Sequence, residues 1–198
     1  MVSLDKVWIK KIIIMYNNNT TVVNFLTETE CEEIIQKSLN ECTLQDATVY
    51  SETNTHLKNN PRKSKVAPID NLGLINYKIL NEVNRQILLE DHKLSINGFQ
   101  FTQYEVGDYF EWHSDSNNTI FKDRIYTIVI QLNNDYNGGE FQLRLESKDV
   151  DMEFGVGNLF IFPSNIVHRV KPITSGIRYS LVSWLVLQPD ETNKKRLI

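Results

Sequence analysis

The 198-residue chain has two cysteines, Cys31 and Cys42, and no C-x-x-C pair. That excludes a disulfide framework and a thiolate zinc site. Two unpaired thiols on or near one helix suit a reducing compartment, so a soluble, cytoplasmic protein is expected. Long apolar runs are missing as well. The N-terminal "WIKKIIIMY" falls far short of the ~20 residues that span a membrane. It also lacks a small-residue cleavage site, which argues against a signal peptide and for an unprocessed chain. Positive charge is not in excess: 21 Lys and Arg against 25 Asp and Glu leave a net charge of −4. No global basic field therefore favours nucleic acid. No internal repeat and no linker is visible. With 41% hydrophobic and 23% charged residues, the chain reads as one ordinary globular domain with a single core.

What is present changes character along the chain. Residues 7–16 and "TTVVNF", separated by "NNN" (17–19), read as two paired strands joined by an Asn turn. Thr27 and Glu30 form a T-x-x-E capping box, which opens a helix carrying Cys31, Ile34, Ile35 and Leu39 at helical spacing. Residues 43–66 are polar and irregular and read as a long loop. Such a loop in a compact domain is either a functional lid or a solvated tether. Asp70 or Asn71 can cap a second helix, with Leu72, Ile75, Ile79, Val83 and Ile87 on one stripe. His56 lies in the polar loop and His92 follows the second helix; both read as non-ligating.

From Gly98 onward the pattern is of strands. "FQLRLE" alternates, with Phe141, Leu143 and Leu145 inward and Gln142, Arg144 and Glu146 outward. "LFIF" (159–162) suits a strand buried on both faces. Two helices followed by many short strands predict an α+β chain whose core is a β-sandwich or jelly roll.

Within that core five residues form a chemically complete set: His113, Asp115, His168, Arg178 and Ser180. His113 and Asp115 stand at i, i+2, so on an extended strand they leave the same face. Two imidazoles and a carboxylate can occupy one face of an octahedral Fe(II) and leave three positions open. Arg178 and Ser180 are again i, i+2, so a guanidinium and a hydroxyl can converge on one carboxylate. Arg fits that task better than Lys because its planar fork pairs bidentately. Taken singly, each residue also has an ordinary reading as a surface triplet, a core histidine or a strand charge. Their joint order and spacing favour a site.

"QYEVGDYFEWHSD" (103–115), "YTIVIQLNNDYNGGEFQL" (126–143) and "GNLFIFPSNIVHRVKPITSGIRYSLVSW" (157–184) resemble the iron(II)- and 2-oxoglutarate-dependent dioxygenases, within them the prolyl-4-hydroxylase-like branch. The N-terminal "VVNFLTETECEEII" and "PRKSKVAPI" resemble that branch more weakly. The resemblance implies a double-stranded β-helix (jelly-roll, cupin-like) core over residues 98–187, with residues 1–97 as supporting strands and helices of one domain, 1–198. It implies Fe(II) held by His113, Asp115 and His168, and 2-oxoglutarate held by Arg178, Ser180 and Tyr104. O2 is the oxidant and ascorbate an accessory reductant. The implied reaction hydroxylates an unactivated carbon and releases succinate and CO2, with a prolyl residue of a peptide or protein as substrate.

Some relatives carry a cosubstrate-binding tyrosine near the Gln131 position, and its absence here leaves that part of the pocket open. A free amino acid or another protein residue stays open as substrate. Demethylation of nucleic acid is disfavoured, because the repair branch carries a second Arg where this chain has Trp184. A non-enzymatic cupin-like binding module fits least, since it has no need of a carboxylate clamp. Oligomeric state is not legible.

Overall fold

A computed structural model of the protein describes residues 21–49, 61–69, 72–87, 94–117, 121–146, 148–153 and 155–187. The expected strand at 7–16, the Asn turn, His56, His92, the caps Asp70 and Asn71, and the middle of the 43–66 loop lie outside them. In chain order the elements are β1 (Thr21–Asn24), α1 (Glu28–Glu41), β2 (Gln45–Asp46), β3 (Arg62–Lys63), β4 (Lys65–Ile69), α2 (Leu74–Ile87), β5 (Leu94–Ile96), β6 (Phe99–Tyr104), β7 (Tyr109–His113) and β8 (Arg124–Gln131). They continue with β9 (Asn137–Gly138), β10 (Phe141–Leu145), β11 (Lys148–Asp151), β12 (Asn158–Pro163), β13 (His168–Val170), β14 (Ile173–Ser175) and β15 (Arg178–Leu187).

The larger sheet runs β1-β12-β8-β15-β6-β4-β2, with β5 also on β15, and the smaller runs β11-β10-β13-β7-β3. All their pairings are antiparallel. Strand alternation divides the core in two. Leu159 and Ile161 of β12 join Phe101, Ile128, Ile130 and Leu181 against the helices. Phe160 and Phe162 join Tyr104, Val129, Phe141 and Leu143 between the two sheets. The run "LFIF" is thus buried on both faces, as its lack of alternation implied.

The capping box of α1 is formed: Glu30 N–H donates to Thr27 Oγ1 (3.2 Å) and Thr27 N–H to Glu30 Oε2 (2.9 Å). Cys31 and Ile34 face the larger sheet. Leu39 corrects the expected stripe: it is exposed, and Ser38 is buried in its place. Ser38 can be buried because its hydroxyl donates to Ile34 O (2.7 Å). Ile79 and Val83 of α2 are buried, and Lys78 ties that helix to α1 through Glu30.

The 43–66 stretch is also corrected in part. Its ends are strands, with β2 pairing β4 and β3 pairing β7, so residues 62–66 are built into the two sheets. Gln142 of β10, expected outward, does lie on the outer face but is buried, held by Asp151 and Arg169.

A register irregularity in β7 opposite β13 shapes the site. His113 pairs His168, yet Phe110, three residues earlier, pairs Val170, two residues later. The extra residue sends both Phe110 and His113 to the inner face, where their rings stack at 3.4 Å. Trp112 points outward, between the guanidiniums of Arg144 (4.0 Å) and Arg169 (4.5 Å).

Candidate metal centre

His113 ends β7, His168 begins β13, and the two are direct partners across the ladder. Asp115 does not lie on the strand, as the i, i+2 reading supposed. The chain turns after His113, and Asp115 N–H donates to Ser164 O (2.9 Å), which fixes the turn. The carboxylate is thereby brought between the imidazoles: Oδ1 lies 3.7 Å from His113 Nε2, and Oδ2 3.6 Å from His168 Nε2. The three residues' ligand atoms all fall within 4.8 Å of one another.

Each ring is oriented from behind. His113 Nδ1 sits 2.8 Å from Glu111 O and His168 Nδ1 2.9 Å from Ile166 O. A carbonyl only accepts, so each ring turns a protonated Nδ1 to its carbonyl and Nε2 to the gap. Burial, then the nearby His168, lowers the His113 pKa to about 3, so this ring is neutral near pH 7. Burial by itself would raise the Asp115 carboxyl. His168 and His113, then the Thr127 and Trp184 side chains, outweigh it and lower the carboxyl instead. Thr127 Oγ1 donates to Asp115 Oδ2 (2.8 Å) and also meets Ser164 Oγ (3.0 Å). Two imidazoles and a charged carboxylate, each held by a neighbouring group, are a donor set suited to Fe(II) with open positions left over.

The cavity beside the triad runs along one face of β15, which presents Arg178, Ser180, Val182 and Trp184 to it. Trp184 lies next to Asp115; Arg178 stands three alternations away. Arg178 is 2% exposed, so its charge is buried and must be matched. Its Nη1 donates to Ser180 Oγ (3.2 Å) and its Nη2 to Gln131 Oε1 (2.9 Å). The guanidinium lies 5.5 Å from the Tyr104 ring, its cross-strand partner. No carboxylate of the protein pairs with it among the described residues, and its Nε has no partner. It also forms part of the wall of a second cavity of ≈400 Å³, with Tyr136, Gly139 and Met152. A Cβ on Gly139 would lie 2.3 Å from Ile173 Cδ1 and 3.3 Å from Arg178 Cδ, so Arg178 packs where only hydrogen fits.

All six residues singled out by sequence line this one cavity: His113, Asp115, His168, Arg178, Ser180 and Tyr104. Gln131 takes a definite place, gripping Arg178 with its oxygen while its Nε2 donates to the Tyr136 hydroxyl (2.7 Å). Five contributors were not singled out for the site: Phe110, Thr127, Ser164, Arg124 and Arg62. Alternation puts Thr127 and Val129 on one face of β8, and that face lines the cavity.

A profile of the 2OG-Fe(II) oxygenase superfamily matches residues 99–186. Over that stretch the chain is similar to the 2OG-Fe(II) oxygenase superfamily. Its matched stretch contains every residue of the triad and the Arg178–Ser180 pair. A PKHD-type hydroxylase of Idiomarina loihiensis is 31% identical over 93 residues, 44% of this chain and 43% of that protein. One of Synechococcus sp. strain CC9902 is 28% identical over 105 residues, 52% of this chain and 47% of that protein. The chain thus spans less than half the length of these relatives. A solved prolyl-4-hydroxylase of Pseudomonas putida shares the fold with TM-score 0.63 at 20% identity, over 91% of this chain and 98% of that one. A prolyl hydroxylase of Trichoplax adhaerens, solved with a hypoxia inducible factor peptide fragment, does so with TM-score 0.71 at 19% identity, over 100% of this chain and 98% of that one. The double-stranded β-helix core shared with these structures is the fold expected from the sequence.

Proposed function

We propose that the protein belongs to that superfamily and is an Fe(II)- and 2-oxoglutarate-dependent dioxygenase that hydroxylates an unactivated carbon, with a prolyl residue of a peptide or protein as its substrate. The observation that carries the reading is the shared cavity. A two-His, one-Asp cluster stands at one end and a buried arginine without a carboxylate partner at the other. Iron bound at the cluster supplies activation of O2, coupled to conversion of 2-oxoglutarate to succinate and CO2, with ascorbate as an accessory reductant.

The protein's own groups have separable tasks. His113, Asp115 and His168 hold the metal through atoms that Glu111 O, Thr127 and Ile166 O keep in position. Arg178 and Ser180 take the far carboxylate of the cosubstrate, in a site where burial strengthens the pairing. Gln131 orients the guanidinium, and Tyr104 covers its flank. Val129, Phe141, Val170 and Val182 line the middle and exclude water from it.

The hydroxylase reading is supported by the names of the sequence relatives, and the peptide substrate by the peptide fragment in the Trichoplax structure. We take residues 1–198 as one catalytic unit with its core at 98–187, in a reducing, cytoplasmic setting that suits two free cysteines. No helix among the described residues is long and apolar enough to cross a membrane.

Incubation of proline-containing peptides with the protein, Fe(II), 2-oxoglutarate and O2, followed by mass spectrometry, tests the proposal. A one-oxygen gain on a prolyl residue supports it. Oxygen gain confined to another residue type, or to free amino acids, would overturn the prolyl assignment.

A further inference from the structure

Among the described residues, two buried side-chain nitrogens lack any hydrogen-bond partner: Nε of Arg178 and Nε1 of Trp184. Both belong to β15, and both residues line the cavity of the triad. An unsatisfied buried N–H costs free energy, so its retention calls for a partner in the working state. For Arg178 that partner is the proposed cosubstrate carboxylate. For Trp184 the position in the fold names another.

Trp184 is the cross-strand partner of Thr127, the residue whose hydroxyl already donates to Asp115 Oδ2. The two side chains therefore stand beside the same carboxylate on adjacent strands. Arg124 adds a further feature. Its guanidinium is held between the Phe121 ring (3.9 Å) and the Trp184 indole (3.8 Å), with Nη1 3.4 Å from Asp115 O. A cation over the indole face draws electron density from the ring and makes its N–H a stronger donor.

We propose that Trp184 is a positioning residue for Asp115: its indole N–H completes a second side-chain hydrogen bond to the carboxylate, beside that of Thr127, when a divalent metal is bound. The inference rests on the metal role proposed for His113, Asp115 and His168. A carboxylate that spends one oxygen on a metal is free to swing about its χ torsion. Donors from both β8 and β15 would hold it in one orientation and set the direction of its ligating lone pair.

Zn(II) is the probe, being diamagnetic and bound by the same donor atoms. In protein labelled with ¹⁵N-indole tryptophan, three signals are expected from three tryptophans. The Trp184→Phe variant assigns one, and Trp8→Phe and Trp112→Phe assign it by elimination if that variant does not fold. On Zn(II) addition the Trp184 N–H should move downfield and exchange more slowly with solvent. Trp184→Phe keeps an aromatic face for Arg124 but deletes the donor. It should weaken Zn(II) binding by roughly tenfold to a hundredfold, with the Tm of the metal-free protein unchanged. A wild-type protein that binds Zn(II) with the Trp184 signal unmoved, or a Trp184→Phe protein of unchanged Kd, would overturn the inference alone. A wild-type protein that takes up no Zn(II) would overturn the metal reading on which it stands.

Discussion

Arg178 Nη2 donates to Gln131 Oε1 across 2.9 Å in the buried wall of the cavity, and the same amide donates from its other end to the Tyr136 hydroxyl. Gln131 therefore fixes the orientation of the guanidinium. Gln131→Leu keeps the bulk but leaves Arg178 short of an acceptor. The apparent requirement for 2-oxoglutarate should rise about tenfold, the equivalent of roughly 1.4 kcal/mol. Arg178→Lys removes the fork itself and should cost about 1.5–3 kcal/mol, roughly tenfold to more than a hundredfold. Titration of 2-oxoglutarate in a succinate assay checks both, and Fe(II) affinity should stay as in the wild type. Unchanged 2-oxoglutarate dependence in Arg178→Lys would contradict the clamp.

Thr127 fixes Asp115 from β8. Thr127→Val is nearly isosteric and removes only the hydroxyl, so the carboxylate loses a donor while the sheet stays packed. Metal affinity should fall by roughly tenfold to a hundredfold, read by anaerobic titration of Fe(II), at nearly unchanged folding stability. Wild-type affinity in that variant would mean Ser164 and the backbone hold Asp115 without help.

Much of this arrangement was legible in the residues. The H-x-D triplet, the later His168 and the alternation of β15 identified the cavity's residues, because each depends on local spacing. The parts that depend on partners distant in sequence were not legible. Phe110 faces inward only because of the bulge opposite His168. Arg62 reaches the cavity because a stretch that reads as loop pairs with β7. Asp115 owes its position to Ser164, 49 residues away by subtraction, and not to the pleat of a strand. Ser38 is buried and Leu39 exposed because a hydroxyl bonded to its own helix can be buried.

Gly157 holds the connection between β1 and α1 against the larger sheet. It has φ +75°, accepts from the N–H groups of Phe25 (3.1 Å) and Leu26 (2.8 Å), and a Cβ there would lie 2.0 Å from Leu26 O. Gly157→Ala therefore meets both a disfavoured φ and a backbone clash. We expect a loss of at least about 1–3 kcal/mol, seen as a lowered midpoint in chemical unfolding. A stability equal to the wild type would show that the turn relaxes without cost.

The two cysteines should differ in reactivity. Cys31 is fully buried on α1, and burial, then Glu30 and Glu28, pushes its thiol up to about 11. The thiolate is the reactive form, so near pH 8 Cys31 is almost entirely inert thiol. Cys42 is half-buried at the end of that helix. Native protein treated with iodoacetamide at pH 8 should gain label at Cys42 first, with Cys31 labelled only after unfolding. Equal labelling of both in the native state would contradict the packing of α1 on the sheet.

Formation of succinate from 2-oxoglutarate under air, by the wild-type protein and by Asp115→Ala, tests the central claim most directly. The account predicts Fe(II)-dependent succinate from the wild type and none above the enzyme-free control from Asp115→Ala, although the variant keeps its circular dichroism spectrum. Succinate formed by Asp115→Ala at the wild-type rate would contradict the metal centre built on His113, Asp115 and His168.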